Sequence, residues 1–120
     1  MSNQFEITQA RTEEPLAVLR LKGRIEHAAA TELRSACSKL RDDGYSELVI
    51  NLADVPFVSS SGIGLLVMIS DRFMRIGGSV RFACLPTPVM DVMKLLHIDR
   101  YLNFYDSEEN AIQGTKEKAK

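Results

Sequence analysis

Nowhere in this 120-residue chain do about 18 apolar residues run together, so no membrane span is expected. The first residues, MSNQFEITQA, lack the basic flank and apolar core of a secretory signal, which points to the cytoplasm. An excess of charge is missing too: 15 basic against 16 acidic residues leave a formal net charge of -1. Phosphate backbones need a concentrated basic face, so nucleic acid is not an expected direct partner. Cysteine is scarce. Cys37 falls in a helix-like segment and Cys84 in a strand-like one, so both are expected to be reduced, buried, small hydrophobes.

Familiar catalytic patterns are also absent. No lysine follows the glycines as a phosphate-binding loop would require, and no Gly-x-Ser-x-Gly marks a nucleophilic serine. The two histidines, His27 at a helix entrance and His97 at the end of an apolar helix, both have ordinary structural readings. No cofactor, metal or enzymatic activity is therefore expected. With 45% hydrophobic and 26% charged residues, the composition is that of one soluble globular domain spanning 1–120. A chain of this size buries about two-thirds of its unfolded surface and folds without a metal or disulfide.

Phe5–Gln9 and Leu16–Leu21 have strand character and flank a turn-rich Arg11–Pro15 stretch, as in an antiparallel hairpin. Leu33, Ala36, Cys37 and Leu40 then recur at helical spacing, and Asp42-Asp43-Gly44 closes that helix. Leu48–Leu52 reads as a strand covered on both faces. A helix follows from about Ser61 to Ile76 and stops at Gly77-Gly78. Val80–Cys84 is the next strand, and Thr87-Pro88 opens a further helix with threonine able to cap. Tyr101–Tyr105 reads as a last edge strand, Asp106-Ser-Glu-Glu resembles a capping box, and the lysine-rich tail, about 114–120, is expected to fray. The pattern predicts an α/β fold: a mixed sheet of four to five strands, an N-terminal antiparallel hairpin and about four helices.

The most informative stretch is Val58-Ser-Ser-Ser-Gly-Ile-Gly64, at the C-terminal end of a strand, where functional sites of such sheets concentrate. One serine is explained as a helix cap. Three are not, nor are Gly62 and Gly64, each of which costs up to about 1 kcal/mol in a helix and so suggests a close approach by backbone or partner. A serine that is itself a substrate fits better. A phosphate there would meet the positive end of the helix dipole, while a docked partner would meet about two new negative charges. On a helical projection, Ile63, Leu66, Val67, Ile69, Phe73, Met74 and Ile76 form the core sector, with Leu65 at its edge. Met68 falls opposite, among Gly64, Asp71, Arg72 and Arg75, and is a candidate partner contact.

Together these features resemble the STAS domain, and within it the bacterial anti-sigma-factor antagonists, from about Phe5 to Ala111. The family signature, Asp-Ser-Ser/Thr-Gly-Leu-Gly opening a helix, reads here Ser59-Ser60-Ser61-Gly62-Ile63-Gly64. A second block, Gly23-Arg-Ile-Glu26-His27 followed by Glu32-Leu33-Arg34, also resembles the family's, with Glu26 for the commoner aspartate. Gly77-Gly78, Pro88 and Tyr105-Asp-Ser-Glu-Glu sit where family members have similar features.

The resemblance implies that Ser60 is the phosphorylated serine, with Ser59 in place of the usual aspartate. It implies an anti-sigma factor that is itself a serine kinase and binds the ATP, and a phosphatase that resets the switch. Glu26, Ser59, Ser61, Gly62, Gly64 and Met68 would belong to the partner surface. The chain would act as substrate and ligand in transcriptional control, and a homo-oligomer is compatible with this reading. The alternative is a structural STAS subunit of a signalling assembly or of a lipid or anion transporter complex.

Overall fold

The computed structural model describes residues 4–119. Strands β1 (Glu6–Glu13) and β2 (Leu16–Lys22) form the hairpin. After them come α1 (His27–Asp42), β3 (Glu47–Asp54), α2 (Ser60–Arg75), β4 (Ser79–Ala83) and α3 (Thr87–Leu95). A 3-10 turn at Ile98–Arg100, β5 (Asn103–Tyr105) and α4 (Glu108–Ala119) complete the order. The sheet runs β1-β2-β3-β4-β5, antiparallel in its first pair and parallel in the rest. The expected mixed sheet, hairpin and four helices are all present.

The strands are added in one direction across the sheet, so crossovers of one hand put their helices on one face. There α1, α2 and α3 bury Leu33, Cys37, Leu66, Phe73, Val89 and Met93 against Leu19, Leu21, Leu48, Ile50 and Phe82. The chain turns back after β5, and α4 covers the other face with Ala111 and Ile112 over Val18, Val49 and Ala83. Its first turn is fixed by polar contacts. The Arg20 guanidinium donates twice to Glu108, at 3.0 and 2.9 Å, and Asn51 Nδ2 donates to the same carboxylate at 2.9 Å.

Several local expectations are revised. The Arg11–Pro15 stretch is not all turn: β1 continues to Glu13, across a register shift between Gln9 and Arg11, and only Glu14-Pro15 turns the chain. Cys84 lies just past β4, half-buried, where the chain leaves the sheet with φ 63°. Pro86, not Thr87, holds the cap position of α3, and no side chain caps it. Proline is still tolerated at Pro88, because N–H groups of a first turn have no intrahelical acceptor. The cap of α4 falls one residue later than Asp106: Ser107 Oγ accepts the Asn110 N–H at 3.0 Å. This leaves Glu108 to meet Arg20. The tail expected to fray over about 114–120 lies largely outside the residues whose side chains are described.

In α2 the core sector is rotated relative to the projection. Leu65 and Ser70 are buried, whereas Met74 and Ile76 are 58% and 50% exposed. Phe73 alone carries the core contact in the last turn of α2. No helix of the described residues is long and apolar enough to cross a membrane.

Candidate functional site

The β2–α1 and β3–α2 loops leave the same end of the parallel sheet and are joined by backbone hydrogen bonds. Gly23 N–H donates to Asp54 O at 3.0 Å, Ile25 N–H to Phe57 O at 3.0 Å, and Ser59 N–H to Ile25 O at 2.9 Å. Ile25 and Val58 form a parallel bridge, and both are buried. This junction brings the two motif blocks, Gly23–His27 and Ser59–Gly64, onto one surface.

The three serines divide by geometry. Ser59 is the N-cap of α2: its backbone is extended and its Oγ accepts the Gly62 N–H at 3.1 Å. That is what an aspartate would do at this position, so the substitution of serine preserves the cap. Ser61 is exposed, and its Oγ lies 3.0 Å from Ser59 Oγ in a hydroxyl–hydroxyl hydrogen bond. Ser60, the first helical residue, is exposed, and its hydroxyl makes no hydrogen bond among the described residues. The N–H groups of Ser60 and Ser61 have no intrahelical acceptor by position, and they add to the positive end of the helix dipole.

Ser59→Ala is expected to lower the unfolding free energy by about 1 kcal/mol, and Ser59→Asp to leave it within a few tenths. Urea denaturation of the two variants checks this; equal losses would mean that the side chain does not cap.

Gly62 and Gly64 have different reasons to be glycine. A Cβ on Gly62 would lie 2.8 Å from Ile25 O and 2.8 Å from Val58 Cγ1, so the close approach there is made by the chain's own backbone. A Cβ on Gly64 would meet nothing within 4 Å, and the residue is exposed. The fold therefore gives no packing reason for a glycine at Gly64.

Met68 is half-buried and packs against the core, not free among charges as the projection suggested. It also lines an open groove of about 270 Å³ between α1 and α2. His27, Ala30 and Arg34 line the α1 side; Ser61, Gly64 and Met68 line the α2 side. The structure thus brings Ser61, Gly64 and Met68 together in one groove, with Ser60 at the adjoining helix start. His97 is far along the chain at the end of α3, exposed, with φ 60°.

Glu26 occupies the N-cap position of α1 without capping it; its carboxylate instead takes a 2.5 Å ion pair from Arg24. The Arg24 guanidinium lies 4.3 Å from the centroid of the Phe57 ring. No local pattern marks Arg24 or Phe57 as a site residue, although Arg24 sits inside the Gly23–His27 block. Phe57 is an apolar loop residue that is 40% exposed. Among the described residues no cluster of three or more His, Cys, Asp or Glu could hold a metal. Burial pushes the Cys37 thiol up to about 12, so it is not an activated nucleophile.

The chain matches the STAS domain over residues 8–111. Its fold is similar to an anti-sigma factor antagonist from Mycobacterium paratuberculosis, with a TM-score of 0.84 at 18% identity over 97% of each chain. It is also similar to the Bacillus cell fate determinant SpoIIAA in the phosphorylated form, with a TM-score of 0.69 at 18% identity over 92% of this chain and 98% of that one. A third likeness, with a TM-score of 0.75 at 16% identity, covers 89% of this chain but 18% of the murine anion transporter Slc26a9. At these identities the likenesses establish the fold, and the family follows from the match over 8–111: this chain is a member of the STAS domain family.

Proposed function

We propose that this chain is an anti-sigma-factor antagonist, a binding module switched by phosphorylation of Ser60. The observation that carries the reading is the state of the three hydroxyls. Ser59 caps the helix, Ser61 is bonded to Ser59, and Ser60 alone of the three is exposed without a hydrogen bond among the described residues. In its unphosphorylated form the chain captures an anti-sigma factor that is also a serine kinase, and so frees the sigma factor. The kinase binds ATP and transfers its γ-phosphoryl group to Ser60 Oγ: the new Oγ–P bond forms as the bond to the ADP oxygen breaks, ADP leaves with the kinase, and the serine proton passes to the kinase or solvent. The phosphate is accommodated by the dipole of α2, but its two negative charges enter the interface and break the capture. A serine phosphatase restores the bare hydroxyl. No step needs a catalytic group from this chain, and the switch operates in the cytoplasm.

The partner surface comprises Ser60, the α1–α2 groove at Ser61, Gly64 and Met68, and the Arg24–Glu26 pair on the adjoining loop, with Ser59 and Gly62 holding the loop in shape. Incubation with a serine-kinase anti-sigma factor from the same cell and ATP is expected to add one phosphoryl group. Tandem mass spectrometry should place it on Ser60, and Ser60→Ala should remain unmodified. Unchanged modification of Ser60→Ala would reject the site. Stable co-purification with a membrane transporter, indifferent to Ser60→Asp, would instead favour the structural-subunit reading.

A further inference from the structure

The charges around the α1–α2 groove are unbalanced. Both helices return from strands that run parallel, so they lie side by side and point the same way. His27 and Ser61 open the two walls, and Arg34 and Met68 each follow seven residues later, so these two stand level. On α2, Ser61, Leu65 and Met68 line the groove, and Arg72 continues their row at i+4 from Met68. Arg72 therefore sits one turn beyond Arg34, roughly 6 Å further along the axis, on the opposite wall. Among the residues lining the groove none is acidic.

The other charges nearby cancel in pairs. Arg75 donates to Asp71 at 2.8 Å, Arg41 lies 3.7 Å from Asp42, and Glu26 at the head of α1 is held by Arg24. Arg34 is exposed and Arg72 half-buried, and neither makes an ion pair among the described residues. In a chain of formal net charge -1, one uncompensated guanidinium on each wall is a local excess of positive charge. The groove is also shaped to receive something. Gly64 has no packing reason to lack a side chain, and its missing Cβ opens the α2 wall below Ser61. Met68 supplies a flexible apolar floor. A planar anionic membrane meets protruding side chains, whereas a concave channel with an apolar floor and cationic walls fits an amphipathic protein segment.

We propose that the groove takes an acidic segment of the anti-sigma factor, with an apolar anchor seated on Met68 past Gly64 and carboxylates paired with Arg34 and Arg72. This rests on the capture proposed above and specifies the chemistry of the partner. A guanidinium suits that role, because its fork of N–H donors matches the two oxygens of a carboxylate. The same occupant gives the switch its sign. A phosphate on Ser60, at the head of the groove, adds negative charge beside a segment that is already acidic.

Calorimetric titration of each chain into the serine-kinase anti-sigma factor tests it. Arg34→Glu and Arg72→Glu should each weaken binding at least about tenfold, because like charges then face each other. Both should keep the wild-type circular-dichroism spectrum, since both side chains reach solvent. Arg100→Glu makes the same change of net charge at an exposed site beyond α3 and should stay within about twofold of wild type. Raising the salt from about 50 to 500 mM should weaken wild-type binding at least about fivefold, and the double variant Arg34→Gln, Arg72→Gln should flatten that dependence. Phosphorylation of Ser60 by the same kinase is read in parallel by mass spectrometry. Wild-type affinity in both reversal variants, a loss matched by Arg100→Glu, or an unchanged salt dependence in the double variant would overturn the groove assignment and leave the Ser60 switch standing. A wild-type chain that does not bind the anti-sigma factor would overturn both.

Discussion

Gly62→Ala is expected to lower the unfolding free energy by about 1–3 kcal/mol, the range of overpacking at a site that cannot relax. The added methyl would lie 2.8 Å from Ile25 O, 2.8 Å from Val58 Cγ1 and 3.0 Å from Ile25 Cγ2. None of these neighbours can move freely. Ile25 O accepts the Ser59 N–H, Ile25 N–H donates to Phe57 O, and both Ile25 and Val58 are buried. Moving them opens the junction that aligns the two motif blocks. The better helix propensity of alanine, about 1 kcal/mol, offsets part of the strain. Gly64→Ala is the internal control. Its methyl meets nothing within 4 Å, so propensity acts alone and should stabilise the fold by about 0.5–1 kcal/mol. Urea melts of the two variants should move in opposite directions. If Gly64 is there to admit a partner, the stabilised variant should also bind the anti-sigma factor more weakly.

Ser60→Asp is expected to weaken capture of the anti-sigma factor by at least about a hundredfold, because an unpaired charge buried at an interface costs several kcal/mol. The same substitution should not harm the fold. Ser60 is exposed in the first turn of α2, where no acidic residue is present, and a carboxylate there interacts favourably with the helix dipole. Unfolding free energy should therefore stay within about 0.5 kcal/mol of wild type or rise slightly. Ser60→Ala should bind as the wild type does, since the bare hydroxyl gives up no hydrogen bond seen in the fold. Calorimetric titrations of the three chains separate charge from contact. Equal affinity of Ser60→Asp and wild type would rule out a charge-operated switch at this position.

Much of this architecture was legible because period and punctuation agreed. Gly23, Gly44 and Gly77 each hold a positive φ where the pattern changes, and they bound the elements that matter most. The serine loop was legible as a site from its place at a strand's C-terminal end, and the ordering of its hydroxyls needed coordinates. Which serine caps depends on where α2 begins, and a one-residue shift exchanges the roles of Ser59 and Ser60. Gly62 and Gly64 looked alike in sequence and part company only once Ile25 is seen against one of them. Met68 was misplaced because a helical projection knows nothing of α1, whose side chains rise beside it. Arg24 over Phe57 joins residues from separate loops, a pairing that no local pattern carries.

The proposed switch turns on the charge state of Ser60, and the most direct measurement uses one preparation of the chain before and after enzymatic phosphorylation. Both forms are titrated into the serine-kinase anti-sigma factor by calorimetry, with the modified residue mapped in the same sample. The unmodified chain is expected to bind, the Ser60-phosphorylated chain to show at least about a hundredfold lower affinity, and phosphatase treatment to restore binding. Equal affinity of the two forms, with the phosphate mapped to Ser60, would contradict it.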